Sequence, residues 1–273
     1  MLREGRQISD KELKRIQDIQ IELISEVDRI CNKCGIRYNM VGGTMLGAIR
    51  HKGHIPWDDD ADIGFLRSEY EKFREACKNE LDQQKYYMQD FRDTDGYRWG
   101  YGKLRRRGTE FVRLNQENMP YEQGVFIDLM PFDSVPDGML ARKIHFFKCF
   151  VYRKIFWSKV GKSIEKNFLY RFNYFLLSLI PEAIVKRCFE RFVKKGSNME
   201  TNLVRILTFP TPKKCYGYKR EWYVNLKNYD FANLKLPGPV DYDGYLAVKY
   251  GNYMELPPEE KRHVHPISRL KLL

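Results

Sequence analysis

Leu13, Ile16, Leu23, Val27 and Ile30 recur at the spacing of one helical face, and Ser9-x-x-Glu12 ahead of them has the form of a capping box. The pattern predicts a first helix that stops at Gly35, a residue suited to a left-handed C-terminal cap. IRYNMV, residues 36–41, then reads as a strand feeding a Gly42-Gly43 turn, and TMLGAIR as a short helix. A short strand carrying Asp60 and Asp62 follows. Ser68-x-x-Glu71 caps another helix with Tyr70, Phe73 and Cys77 on one face. Strand-like runs come next at 86–89, 97–106, 110–114 and 124–130. This order predicts an α+β core with a mixed β-sheet flanked by helices.

Pro131, Pro136 and Gly138 mark the end of that core. Residues 139–195 read as two or three helices interrupted at Gly161 and Pro181. Pro237-Gly238-Pro239 reads as a rigid connector, and YDGYLAVKYG as a helix stopped by Gly251. The proline-fixed segment PPEEKRHVHP would deliver Arg262, His263 and His265 to one place; a solvated tail is the competing reading. The expected division is a catalytic core at 1–138, a helical basic and aromatic subdomain at 139–235, and a segment at 236–273 returning to the active site.

Charge sharpens the picture of the middle segment. The chain of 273 residues carries a net charge of +12, and residues 142–195 hold 14 Lys and Arg against 3 acids, a local balance of +11. Aromatics such as Phe147, Phe150, Trp157 and Phe172 interleave with the basic residues. Helices of that kind suit the interface of an acidic membrane, where each Lys or Arg adds about 1 kcal/mol. An ordinary helical subdomain is the alternative. Nucleic acid is not expected as a partner, because no RNA-binding signature accompanies the patch. The first residues lack the apolar run of a secretory signal, and Phe172–Ile180 is too short to span a bilayer, which needs about 20 residues. The expectation is a cytoplasmic protein, peripheral at the inner face of the cell membrane. Its six cysteines are then reduced thiols, and Cys31-x-x-Cys34, with no second pair, reads as a helix end.

The chemistry concentrates in MVGGTMLGAIRHKGHIPWDDDADIGF, residues 40–65. Alternate residues of a strand share a face, so Asp60 and Asp62 project together, and Asp58 joins them if the strand starts early enough. Adjacent carboxylates repel unless a cation sits between them, and hard oxygen ligands suit Mg²⁺ or Mn²⁺. Gly42 and Gly43 would let the backbone approach a phosphate, and the helix N-terminus near Thr44 would aim N–H groups at it. A metal site and an anion cradle are the parts needed for phosphoryl transfer. Acidic runs are usually solvated loops, but this one lies between Ile55-Pro56-Trp57 and Ile63-Gly64-Phe65, an unusually apolar frame. Lys103 and Arg105, which share a strand face, rank above Arg106 and Arg107 for a diphosphate, and Arg50 is a further candidate.

GGTMLGAIRHKGHIPWDDDADIG, GKLRRRGTEF (102–111), GVFIDLMPFD (124–133) and DYDGYLAVKYGNYMELPPEEKRHVHP (241–266) together resemble the four blocks of the LicD family. Residues 139–235 carry little of the likeness, Ala61 stands where a larger aliphatic is common, and Val264 separates two histidines that relatives often have adjacent. The resemblance implies a nucleotidyltransferase-like core and a bacterial Mg²⁺-dependent phosphotransferase. The implied reaction moves a phospho-alcohol, phosphocholine from CDP-choline first among CDP-alcohols, to a hydroxyl of a cell-surface glycan and releases CMP. Teichoic acid, capsule and lipid-linked glycans such as lipopolysaccharide are the implied acceptors. It also implies a third carboxylate from a later strand. Asp128 fits that role as a metal ligand with Asp60 and Asp62, or as the base for the acceptor. Asp58 would act beside them, and Arg262, His263 and His265 would contact substrate. Two other readings stay open: a nucleotidyltransferase using a nucleoside triphosphate, and a non-catalytic membrane-associated protein. The Asp60-x-Asp62 pair argues against the second.

Overall fold

A computed structural model describes residues 5–197, 199–212, 215–262 and 264–273. Helix α1 (Asp10–Cys34) is followed by β1 (Asn39–Met40), α2 (Gly42–His51), β2 (Asp62–Leu66) and α3 (Arg67–Glu80). Strands β3 (Tyr86–Gln89), β4 (Gly102–Arg106), β5 (Glu110–Arg113) and β6 (Phe126–Val135) come next. Helices α4 (Met139–Ile164), α5 (Phe168–Ser178) and α6 (Glu182–Ser197) form a block of their own. The chain then returns through β7 (Leu203–Arg205), β8 (Tyr218–Lys219), β9 (Leu226–Phe231), β10 (Leu234–Pro239), α7 (Tyr242–Tyr250) and β11 (Ile267–Lys271).

Among the described residues the main sheet has seven strands, ordered β1-β2-β6-β4-β3, with β7 and β8 continuing from the far end of β6. Strand β6 is buried along all ten residues and organises this sheet. It pairs parallel with β2 and antiparallel with β4 and β7, so the sheet is mixed and lies among helices, in keeping with the α+β expectation. The amphipathic face of α1 packs on it through Ile16, Leu23, Val27 and Ile30, all fully buried. The capping box at Ser9 and Glu12 forms, and Gly35 ends α1 at φ 64°. A second core, around Phe91, Tyr97, Cys149, Phe156 and Phe189, ties α4 and α6 to the loop before β4.

Several elements differ from the expectation. Gly42 and Gly43 open α2 itself instead of forming a turn ahead of it. The strand expected at 36–41 pairs only at Asn39 and Met40, and that expected at 97–106 only from Gly102. The segment 139–235 is helical only to Ser197. The alternating residues beyond it give β7 and β8, and the hairpin of β9 and β10. Pro237-Gly238-Pro239 is the end of β10, not a connector; a Cβ on Gly238 would come 2.6 Å from Met45 Sδ. Strand β11, which the sequence did not suggest, pairs with β5 and sets Ile267 opposite Arg113, which anchors the preceding segment against the core. Among the described residues no single helix is long and apolar enough to cross a membrane. Only α5 and α6 together, bent by 88° at their junction, reach that length and composition.

The join between β6 and α3 rests on a buried ion pair. Arg67 donates to both oxygens of Asp133, at 2.8 and 2.7 Å, and both side chains are nearly inaccessible. Removing one partner of such a pair strands the other charge, so Asp133→Ala should cost about 3 kcal/mol or more in urea unfolding. A loss under about 1 kcal/mol would mean that Glu71, 3.1 Å from the same guanidinium, suffices alone.

Candidate active site

Asp62 opens β2 and lies opposite Asp128 in the parallel register, while Lys103 of β4 lies opposite Asp128 on its other side. The Asp128 N–H donates to Ala61 O at 2.8 Å, so the extended chain continues upstream of the strand. Two buried glutamines of α1 hold that upstream stretch: Gln17 donates to Asp58 O at 3.0 Å and Gln20 to Asp59 O at 2.9 Å. The backbone of the acidic run is thus fixed by side chains from a helix some 40 residues earlier. Thr44 Oγ1 accepts the Asp62 N–H at 2.7 Å, which is a structural use of a hydroxyl expected at an anion.

The glycines make room for carboxylates. A Cβ on Gly42 would sit 2.6 Å from Asp62 Oδ2 and 2.9 Å from Lys249 Nζ, and one on Gly43 would sit 2.8 Å from Asp58 Oδ2. Gly42 also has φ 58°, a left-handed conformation that other residues adopt at a cost. Helix α7 supplies the other side: Tyr245 OH accepts the Gly42 N–H at 2.9 Å, and Lys249, one turn later, reaches Asp62. The first N–H of α2 is therefore spent on Tyr245 and not directed at a ligand.

The electrostatics divide the carboxylates into two groups. Asp59 accepts a hydrogen bond from Arg113 and lies 2.8 Å from His265 Nδ1. Burial opposes its charge, but His265 and Arg113 outweigh burial and hold its pKa low. The His265 pKa rises in return, chiefly through that hydrogen bond. At Asp58, Asp60 and Asp62 burial and like charge prevail, although Arg113 lies 3.9 Å from Asp60. Burial, then the charges of Asp60 and Asp59, push Asp58 up to about 8. Burial and Asp128 raise Asp60; burial, then Asp60 and Asp128, raise Asp62 well above the carboxylate range. Lys249 lowers Asp62 without overcoming those terms, and keeps its own pKa raised through Tyr250 and Asp62 although burial works against it. Asp128 is paired with Lys103, whose pKa burial lowers to about 8 against the pull of Asp128. Carboxyl groups held back from ionising by one another form a hard-oxygen donor set that fits a divalent cation. Among the described residues, the potential metal ligands whose donor atoms lie within 4.8 Å of one another are Asp59, Asp60 and His265, a triad that shares only Asp60 with the expected Asp60, Asp62 and Asp128.

The other expected substrate residues scatter. Lys103 is at the cluster, 3.5 Å above the Phe126 ring. Arg105 is buried and donates to Gln89 Oε1 at 2.8 Å and Gly124 O at 2.7 Å. Arg50 and Arg262 meet over the Trp57 ring, at 6.0 and 4.9 Å from its centroid, each pinned to backbone carbonyls. His265 reaches the acidic run, and His263 lies outside the described residues. Asp59, Arg113, Lys249 and the glutamines were not anticipated. Lys249 was legible as the residue one turn after Tyr245 on a recognised helix; Arg113 and Asp59 became partners only through the β5–β11 pairing.

Residues 35–160 match the family described as "LicD/FKTN/FKRP, nucleotidyltransferase domain". The chain carries a LicD-family domain. It is 26% identical over 272 residues to the lipopolysaccharide cholinephosphotransferase LicD of Haemophilus influenzae, covering 96% of this chain and 98% of that protein. It is also 34% identical over 74 residues to an uncharacterized protein of Rickettsia typhi, covering 25% of this chain and 24% of that one. The glycines, the acidic run, Lys103 and Asp128 all lie inside the LicD domain; Lys249 and His265 lie beyond it.

The Asp59–His265 contact has a measurable sign. With a raised folded-state pKa, His265 contributes stability that is full below its unfolded value of about 6.5 and lost as pH rises through the folded value. NMR titration in EDTA should place His265 above about 6.5, and Asp59→Asn should bring it down. An unchanged titration in the variant would rule out the contact.

Proposed function

We propose that this chain is a LicD-type phosphotransferase with a nucleotidyltransferase-like core, moving phosphocholine from CDP-choline to a hydroxyl of a lipid-linked or cell-surface glycan. The observation that carries the reading is the gathering of Asp58, Asp60, Asp62 and Asp128 at the β2–β6 junction of a LicD domain. Near full-length likeness to a lipopolysaccharide cholinephosphotransferase supports phosphocholine as the group moved and a glycan as the acceptor.

Asp60 and Asp62, with Asp128 beside them, would hold a divalent cation, Mg²⁺ or Mn²⁺, whose chemistry is to neutralise charge on the diphosphate. The acceptor oxygen forms a bond to the phosphorus that bears choline, and the bond from that phosphorus to the CMP oxygen breaks, the electron pair leaving with CMP. Asp58, whose carboxyl burial and the charges of Asp60 and Asp59 push up to about 8, would take the acceptor proton in its ionised form. Lys103 holds Asp128 in position, and the charge of Lys249 acts on Asp62. Arg50 and Arg262, one residue from Asp58 at Trp57, offer fixed positive charge to a phosphate of the donor or the acceptor.

The outer helices support a place at an acidic membrane. On α5 only Tyr174 is buried, while Phe168, Leu169 and Phe172 are at least half exposed. Leu140 and Phe147 of α4 are exposed as well, and residues 142–195 carry the local balance of +11. A soluble CDP-alcohol and a lipid-linked acceptor meet where an enzyme at that boundary can reach both.

Two experiments test these readings. Asp60→Asn and Asp62→Asn should each lower CMP release from CDP-choline by at least about a hundredfold, and EDTA should do the same reversibly. Both variants should stay folded, because each removes a charge from a repelling set; near-wild-type release by the pure double variant would sink the site. Liposomes with acidic lipid should bind the protein far better than neutral ones, and binding should fade as salt shortens the Debye length from about 10 Å at 0.1 M to about 3 Å at 1 M. Phe168→Ser with Leu169→Ser should weaken that binding and spare CMP release on a soluble acceptor. Indifference to acidic liposomes at low salt would make α4 to α6 an ordinary helical subdomain.

A further inference from the structure

A cavity of about 370 Å³ lies between the loop entering β4, the inner side of α4 and the segment at Thr208–Pro210. Its walls are aromatic: Trp99, Tyr101, Phe156, Trp157, Tyr174 and Phe209. The rings meet in angled pairs, Trp99 with Trp157 at 5.6 Å and Tyr101 with Phe209 at 5.3 Å. Tyr101 joins this cavity to the carboxylate cluster, since burial and then the negative charge of Asp128, Asp62 and Asp60 all act on its phenol. The same ring lies 5.4 Å from Lys103 Nζ.

We propose that this cavity receives the quaternary ammonium head of the donor's phosphocholine group, with Trp99, Tyr101, Trp157 and Phe209 as its cation–π walls. The inference rests on the phosphocholine reading above and gives that substrate a location. A trimethylammonium has no N–H to donate, so it is recognised by aromatic faces, and such faces make up most of this lining. Two polar groups at the wall are already engaged: Trp99 Nε1 donates to Tyr121 OH at 3.3 Å and Thr208 Oγ1 to the Trp99 carbonyl at 2.7 Å. Arg153 and Lys154 also line the cavity; the Arg153 guanidinium lies 5.6 Å from the Phe150 ring and the Lys154 ammonium 5.3 Å from the ring of Tyr174, itself a wall. Lys154 also donates to Tyr174 OH at 2.9 Å. A volume of this size suits a small head group and lies at the low end of ligand pockets.

The probe is phosphocholine, compared with 3,3-dimethylbutyl phosphate, its uncharged isostere, by calorimetry and by saturation-transfer NMR on the methyl protons. Wild type should favour phosphocholine. Trp157→Leu should weaken its binding about tenfold and leave the isostere nearly unaffected, and Trp157→Phe, which keeps an aromatic face, should restore most of the loss. Phe209→Leu, at a partly exposed wall position, repeats the test if Trp157→Leu fails to fold. Equal binding of the two probes, or phosphocholine binding unchanged in both folded leucine variants, overturns the pocket. If CDP-choline still yields CMP in that case, the donor reading stands without it. A wild type that neither cleaves CDP-choline nor binds phosphocholine overturns both.

Discussion

Mutual repulsion among the carboxylates at the start of β2 is the constraint around which this structure is arranged. Two like charges about 4 Å apart repel by on the order of 4 kcal/mol at the effective dielectric of a protein surface, and here several are partly buried. The protein deals with them separately. Asp59 turns to Arg113 and His265, and Asp128 to Lys103, so those charges are matched within the chain. Asp58, Asp60 and Asp62 are less well matched, with Arg113 3.9 Å from Asp60 and the charge of Lys249 acting on Asp62, and burial together with their like charges raises their pKa values. An apolar replacement would relieve the repulsion. The arrangement therefore makes sense as the resting state of a site that completes its charge balance with a cation and a substrate.

That constraint explains features that look unrelated along the chain. Gly42 and Gly43 are required because carboxylates occupy the space where a Cβ would stand. Gln17 and Gln20, polar residues inside an otherwise apolar helix face, are required because the acidic run needs its backbone held while its side chains repel. Tyr245 and Lys249 bring α7 across to close the same corner. Helices at opposite ends of the chain are in this way both part of the acidic site.

Much of this was legible from residues alone, and the rest was hidden for identifiable reasons. Period-3.6 and period-2 patterns located α1, α3 and β6, and alternation within DDDAD put Asp58, Asp60 and Asp62 on one side. Alternation also implied that Asp59 faces elsewhere, but its partners could not be read locally, because Arg113 and His265 meet it only through the β5–β11 pairing. Basic residues were overvalued as phosphate ligands for a similar reason. A sequence shows that Arg105 shares a strand face with Lys103, but not that Gln89 and Gly124 await its guanidinium. The helical middle segment was extended too far because its charge and aromatic content persist past Ser197, where the backbone has already returned to the sheet.

Helix α4 links the two halves of the functional reading. Cys149 and Phe156 turn inward to the second core, and Phe156 and Trp157 line the aromatic cavity. Leu140, Ile144 and Phe147 of the same helix remain exposed. One rigid element therefore carries a cavity wall on one face and an unpartnered apolar surface on another. Adsorption of the outer face to lipid would fix the orientation of the cavity, and through Tyr101 that of the carboxylates, relative to the bilayer. On that proposal the helices would do more than raise the local concentration of a lipid-linked acceptor, since they would also set the direction from which it meets the donor.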